Sequence, residues 1–100
     1  WLWLRKWVVL RDNILSIHKD SHTLHPSLTI PLRDITKAER IYLTPYCLLL
    51  ETKDKRVYLS FMSYEELSTW RGEIHSRSPL SNHTRFVPRA HVDTDSRGFT

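Results

Sequence analysis

One hundred residues, 40% of them apolar and 26% charged, with a net charge of +4 and a single cysteine, describe one small folded domain with an appendage and leave no room for a second full core. The uncharged apolar runs are too short to cross a bilayer as a helix, and one cysteine excludes an internal disulfide framework. With no charged-then-apolar leader and no initiator methionine, the chain is expected to be a cytosolic fragment that opens inside a strand.

The opening run WLWLRKWVVL places Leu2, Leu4, Lys6, Val8 and Leu10 on one strand face and Trp1, Trp3, Arg5, Trp7 and Val9 on the other. Arg11-Asp12-Asn13 supplies turn residues and an extended pattern resumes over 13–19, so the pair predicts a hairpin. A polar loop over 21–27 leads to Leu28, Ile30 and Leu32, which alternate with Thr29 and Pro31; the proline suits an edge strand. A fourth strand is expected over 35–43, a fifth over 46–50 after Thr44-Pro45, and a sixth around Val57-Tyr58-Leu59 beyond the turn Lys53-Asp54-Lys55. Ser63 with Glu66 three residues on is a capping box, and Leu67, Trp70 and Ile74 share a helical face. These elements predict a mainly β fold with one α-helix, an antiparallel β-sandwich or barrel whose open end the helix caps. Past His75 no period is sustained, and a flexible tail, disordered when free, is expected.

The tail is basic for its length: residues 76–100 hold four arginines and two aspartates, whereas residues 1–75 hold eleven basic and nine acidic side chains. That balance favours an anionic partner without choosing between membrane, nucleic acid and acidic protein. Only Gly72 and Gly98 occur, which excludes a glycine-rich phosphate loop, and no catalytic motif is present. The strings RKWVVLRDNILSIHK and PYCLLLETKDKRVYLS, with the helix centred on Trp70, together resemble a pleckstrin homology (PH) domain over residues 1–77 that lacks its first strand. LSNHTRFVPRAHVDTD, within residues 78–100, resembles a degenerate Cdc42/Rac-interactive (CRIB) motif. Leu80, Ser81, Phe86, His91, Val92 and Asp95 fall on its pattern, and His83, Pro88, Asp93 and Thr94 depart from it. A PH domain running into a CRIB motif resembles the N-terminal regulatory region of fungal PAK/Ste20-class serine/threonine kinases. The resemblance implies signal-dependent recruitment to the plasma membrane by phosphoinositides and a GTP-bound Cdc42/Rho-type GTPase, as a monomer. It also implies a kinase domain beyond Thr100 that uses ATP and magnesium, with no catalysis and no cofactor in this fragment.

Lys6 shares parity with Val8 and Leu10 yet lies near the start of its strand, where a hydrated mouth suits a phosphate contact; Lys19 on the next strand is expected to join it, with Arg5 and His18 at the rim. Leu4 stands where phosphoinositide binders of this family carry a further basic residue. Trp1 and Trp3 either sit at headgroup level or cover a sheet face. In the tail, strand addition would anchor Phe86, His91, Val92 and Asp95 on the GTPase, with Arg85 and Arg89 steering; the other reading is a plain linker. His18, His22 and His25 fall in a loop with Ser21, Thr23 and Pro26, so no metal site is expected, and Cys47 reads as a core residue. Two rival classes are a PH-fold protein-interaction scaffold with no lipid or GTPase binding, and a nucleic-acid binder suggested by a pI near 9.5. The second is disfavoured, because no exposed aromatic row is expected to stack bases.

Overall fold

Asp12 and Asn13 both take positive φ, 55° and 59°, in a computed structural model that describes residues 3–79 and the backbone of residues 89–95. Two such residues form the tight turn whose twist matches its strands, and it joins β1 (Trp3–Arg11) to β2 (Ile14–His18) in the register Leu10↔Leu15 and Val8↔Ile17. All four of those side chains are buried, as the alternation requires. β3 (Leu28–Pro31) pairs with β2 and is one of the two edge strands, where the missing N–H of Pro31 is tolerated.

The expected third strand was to include Leu32, but the chain turns at Pro31 into a 3₁₀ turn, Leu32–Asp34. Leu32 N–H donates to the Asn13 carbonyl at 2.9 Å, so the hairpin turn captures the end of the edge strand. The fourth strand is shorter than expected: β4 is Lys37–Ile41, and Ile35 instead closes the 3₁₀ turn as a fully buried residue. β5 (Cys47–Glu51) lies between β4 and β6 (Arg56–Ser60), and its first four residues are buried on both faces. Cys47 is fully buried, as its sequence context predicts.

α1 (Tyr64–Arg77) starts at Ser63, whose Oγ accepts from the Glu66 N–H at 3.2 Å. The reciprocal half of the capping box is shifted by one residue, since Glu66 Oε1 accepts from the Met62 N–H at 3.2 Å. Leu67, Trp70 and Ile74 are buried against the core, and the Trp70 ring lies 6.3 Å from that of Phe61. One turn further, Glu73 is only 3% exposed and meets Arg77 Nε at 2.8 Å, an ion pair on the covered side of the helix.

Periodicity assigns no element to the tail, yet residues Arg89–Asp95 form β7. It pairs antiparallel with β1 from Trp3↔Asp95 to Val9↔Arg89 and with β6 at Leu59↔Thr94 and Ser60↔Asp93. The order β3-β2-β1-β7-β6-β5-β4 therefore has the tail strand at its centre, joining two three-stranded antiparallel halves.

Candidate functional site

Trp7 pairs with His18, the last residue of β2, so Lys6 on β1 and Lys19, the residue after β2, lie at the same end of the hairpin. Lys6 continues the alternate series of the fully buried Val8 and Leu10 and stands opposite Val92 of β7. Lys6 is half-buried and Lys19 exposed. Arg5, Trp3 and His18 lie on the opposite face, Arg5 exposed and the other two half-buried. Of the residues expected at a lipid site, the fold places Lys6 and Lys19 at one end of the hairpin and sets Arg5, Trp3 and His18 on the face of the sheet opposite that of Lys6. Trp1 lies outside the described residues.

The loop after Lys19 is ordered by its own side chains. Asp20 Oδ1 accepts from the His22 N–H at 2.9 Å and from Thr23 Oγ1 at 2.8 Å. The Thr23 hydroxyl, followed by the His22 N–H, holds the Asp20 carboxyl below its ordinary value. His18 Nδ1 lies 3.0 Å from the Thr23 carbonyl, which can only accept, so Nδ1 carries a proton. Leu24, the next residue in this loop, is 89% exposed. Leu24, Pro26, Trp7, Val9 and Ile14 border an open groove of about 480 Å³ on the outer face of β1–β3. Among the described residues no group of three histidine, cysteine or acidic side chains is placed to hold a metal, and no helix is long and apolar enough to cross a membrane.

Of the residues expected to grip a GTPase, Arg89, His91, Val92 and Asp95 lie in β7, at register positions opposite Val9, Trp7, Lys6 and Trp3. Arg85 and Phe86 lie outside the described residues.

Two features escaped the sequence reading. Arg40, on β4, lies over three tyrosine rings, 4.6 Å from Tyr42, 5.7 Å from Tyr46 and 5.8 Å from Tyr64. Its Nη2 donates to the Pro45 carbonyl at 2.6 Å, and its buried Nε has no hydrogen-bond partner. Of these rings Tyr42 and Tyr64 are exposed, as are their chain neighbours Leu43 and Met62, and these residues are too scattered in sequence to show a period. The second is a recess of about 430 Å³ between β3, the 3₁₀ turn and the β5–β6 loop, bordered by Arg33, Asp34, Lys53, Asp54 and Lys55. In sequence those charges read only as turn residues.

Two antiparallel half-sheets around one core, closed by a helix with a buried tryptophan, define a small β-sandwich module. Residues 2–79 match the PH domain family, and the chain belongs to it. Over 106 residues it is 31% identical to serine/threonine-protein kinase shk2 of Schizosaccharomyces pombe, covering 96% of this chain and 18% of that protein. It is 28% identical to serine/threonine-protein kinase SKM1 of Saccharomyces cerevisiae, covering 96% of this chain and 18% of that kinase. Against serine/threonine-protein kinase CLA4 of Eremothecium gossypii it is 29% identical, covering 94% of this chain and 14% of the kinase. The chain spans less than a fifth of the length of these curated relatives. No solved structure matches.

Proposed function

We propose that this chain is the regulatory region of a PAK-like serine/threonine protein kinase, docking on anionic lipid through its PH half and on a GTP-bound Cdc42/Rho-type GTPase through its tail. The observation that carries the lipid half is that Lys6 and Lys19 lie at the same end of the β1–β2 hairpin, from which the loop bearing the exposed Leu24 leaves. Two ammonium groups at the rim of a sandwich can donate charge-assisted hydrogen bonds to a headgroup phosphate. An apolar side chain raised on the same loop can enter the interface, and each cation near an anionic surface adds about 1 kcal/mol. Such docking is weak and reversible, and peripheral at the cytoplasmic face of the plasma membrane.

The tail supplies the second contact. Its strand-forming backbone suits addition to a GTPase sheet edge, and its arginines suit an acidic surface. Held at one membrane, two weak contacts act as one: avidity exceeds either affinity by a factor on the order of 100 or more. Catalysis, with ATP and magnesium, belongs in this reading to a kinase domain outside these residues.

Recruitment to phosphoinositide-bearing liposomes that display the GTP-loaded GTPase tests both halves. Lys6→Ala/Lys19→Ala should weaken recruitment with or without the GTPase, and Phe86→Ala/His91→Ala only when it is present. Recruitment unchanged by the first pair removes the lipid reading, and recruitment unchanged by the second removes the GTPase reading. The alternative, a protein-interaction scaffold with neither activity, is favoured by one observation, the exposed Tyr42 and Tyr64 rings that flank Arg40.

A further inference from the structure

The sheet ends at β4, which pairs with β5 on one side and, among the described residues, with no strand on the other. Along it Ala38 and Arg40 stand opposite Leu50 and Leu48, both buried, so Arg40 continues the series that faces the core. No acidic side chain among the described residues forms an ion pair with it. Its Nη2 donates to the Pro45 carbonyl at 2.6 Å, and its buried Nε has no partner.

What holds this guanidinium is aromatic. The rings of Tyr42, Tyr46 and Tyr64 lie 4.6, 5.7 and 5.8 Å from its central carbon, within reach of cation–π attraction. The segments that carry the rings are themselves fixed. The hydroxyls of Thr44 and Ser60 meet at 2.8 Å, the Phe61 N–H donates to the Tyr46 carbonyl at 2.8 Å, and Ser63 caps the helix that Tyr64 opens. Yet Tyr42 is 77% and Tyr64 54% exposed, so the frame is set in advance while two of its rings stay open to solvent. Arginine and tyrosine are the residue types that concentrate binding energy at protein interfaces.

The free side of β4 says how a partner would approach. A strand that adds there pairs residue by residue, and its residue opposite Arg40 points to the same face as Arg40. A carboxylate at that position meets a cation that has no acid of its own. Its neighbours two positions away share that face and stand beside Ala38 and Tyr42, where apolar side chains fit. A continuous anionic surface fits less well, because Glu65 and Glu66 lie in the first turn of α1, next to Tyr64. One peptide carboxylate need meet only Arg40.

We propose that the free edge of β4, with Arg40 and its tyrosines at one end, is a docking site for an extended segment of a partner protein that carries a glutamate or aspartate opposite Arg40 and apolar residues two positions to either side. This contact neither needs nor excludes the lipid and GTPase contacts proposed above.

Fluorescence anisotropy with the 100-residue protein tests it. The probe is a labelled peptide, blocked at both ends, whose central glutamate is flanked on each side by threonine and then valine; the control carries glutamine at the centre. The glutamate peptide should bind at least about tenfold more tightly than the glutamine peptide. Arg40→Lys keeps the charge but loses the planar fork, and should erase most of that preference. Tyr42→Ala and Tyr64→Ala should each weaken binding several-fold and leave the unfolding midpoint unchanged, since both rings are exposed. In NMR spectra the glutamate peptide should shift the amides of residues 37–41 and the Arg40 Nε–H resonance. The proposal is overturned if the glutamate peptide does not bind, if the two peptides bind alike, if Arg40→Lys leaves the preference intact, or if the shifts fall on other strands. Loss of binding to anionic vesicles in Arg40→Lys, with no binding of the peptide, would assign the arginine to a lipid surface and equally overturn it.

Discussion

Glu73 and Arg77 show how much a single pair can hold. The carboxylate is 3% exposed and its partner 17%, one helical turn apart at 2.8 Å. Surface pairs at this spacing contribute a few tenths of a kcal/mol, and a pair so well covered should contribute more. Arg77→Ala should therefore destabilise the domain by about 1 kcal/mol or more in urea unfolding, and Glu73→Leu/Arg77→Met by less, because both charges leave together. Asp20 offers a titration test. Its carboxyl is held below the ordinary value first by the Thr23 hydroxyl and then by the His22 N–H. A group whose pKa is depressed on folding contributes stability above its unfolded value, and that contribution is lost as pH falls through the folded one. Thr23→Val should move the Asp20 carboxyl resonance midpoint up toward the usual aspartate range, and in the wild-type protein loop 20–23 should loosen only as that carboxyl protonates.

At the scale of elements, the hairpin turn and the helix start are the joints. Asn13, at φ 59°, sits where a side chain with Cβ is strained. Asn13→Ala should cost about 1 kcal/mol and Asn13→Gly close to nothing, read from thermal unfolding. Ser63→Ala removes the acceptor for the Glu66 N–H and should cost about 1 kcal/mol. Both joints were legible in the sequence, because Asp-Asn between alternating runs and Ser-x-x-Glu before an apolar stripe state local backbone chemistry. So was the buried face of α1, through Leu67, Trp70 and Ile74. Leu32 was misread because alternation continues through it, whereas the 2.9 Å bond from its N–H to Asn13 is a tertiary contact that no window around Leu32 contains. β7 was not legible for the same reason at greater range. RAHVDTD alternates, but its apolar members are few, and what makes it a strand is β1 and β6 on either side. The candidate lipid site was legible in part: strand parity and the hairpin marked Lys6 and Lys19 at one end, and the register set His18 opposite Trp7, on the other face from Lys6.

For the molecule as a whole, one small core serves both halves of the sheet. Val8, Leu10, Leu15 and Ile17 from one half meet Ala38, Leu48, Leu50, Val57 and Leu59 from the other, with Trp70 among them. Trp70→Ala should cost about 3–5 kcal/mol, a large share of the stability of a domain this size, and soluble expression after that change reports it. Leu24 lies outside this core, so Leu24→Ser should leave the unfolding midpoint within error while lowering liposome binding several-fold. A loss of both together would mean that the loop is structural.

The position of β7 also bears on the order in which contacts form. β7 bridges the two halves through pairings as distant in sequence as Trp3 with Asp95, whereas the β1–β2 and β5–β6 pairings are local. Contacts of such long sequence separation carry the larger loop-closure cost and form late. In pulse-labelling hydrogen exchange during refolding, amides of the β1–β2 and β5–β6 hairpins should gain protection before those of Arg89–Asp95, so the sheet would be joined from its outer hairpins towards its middle.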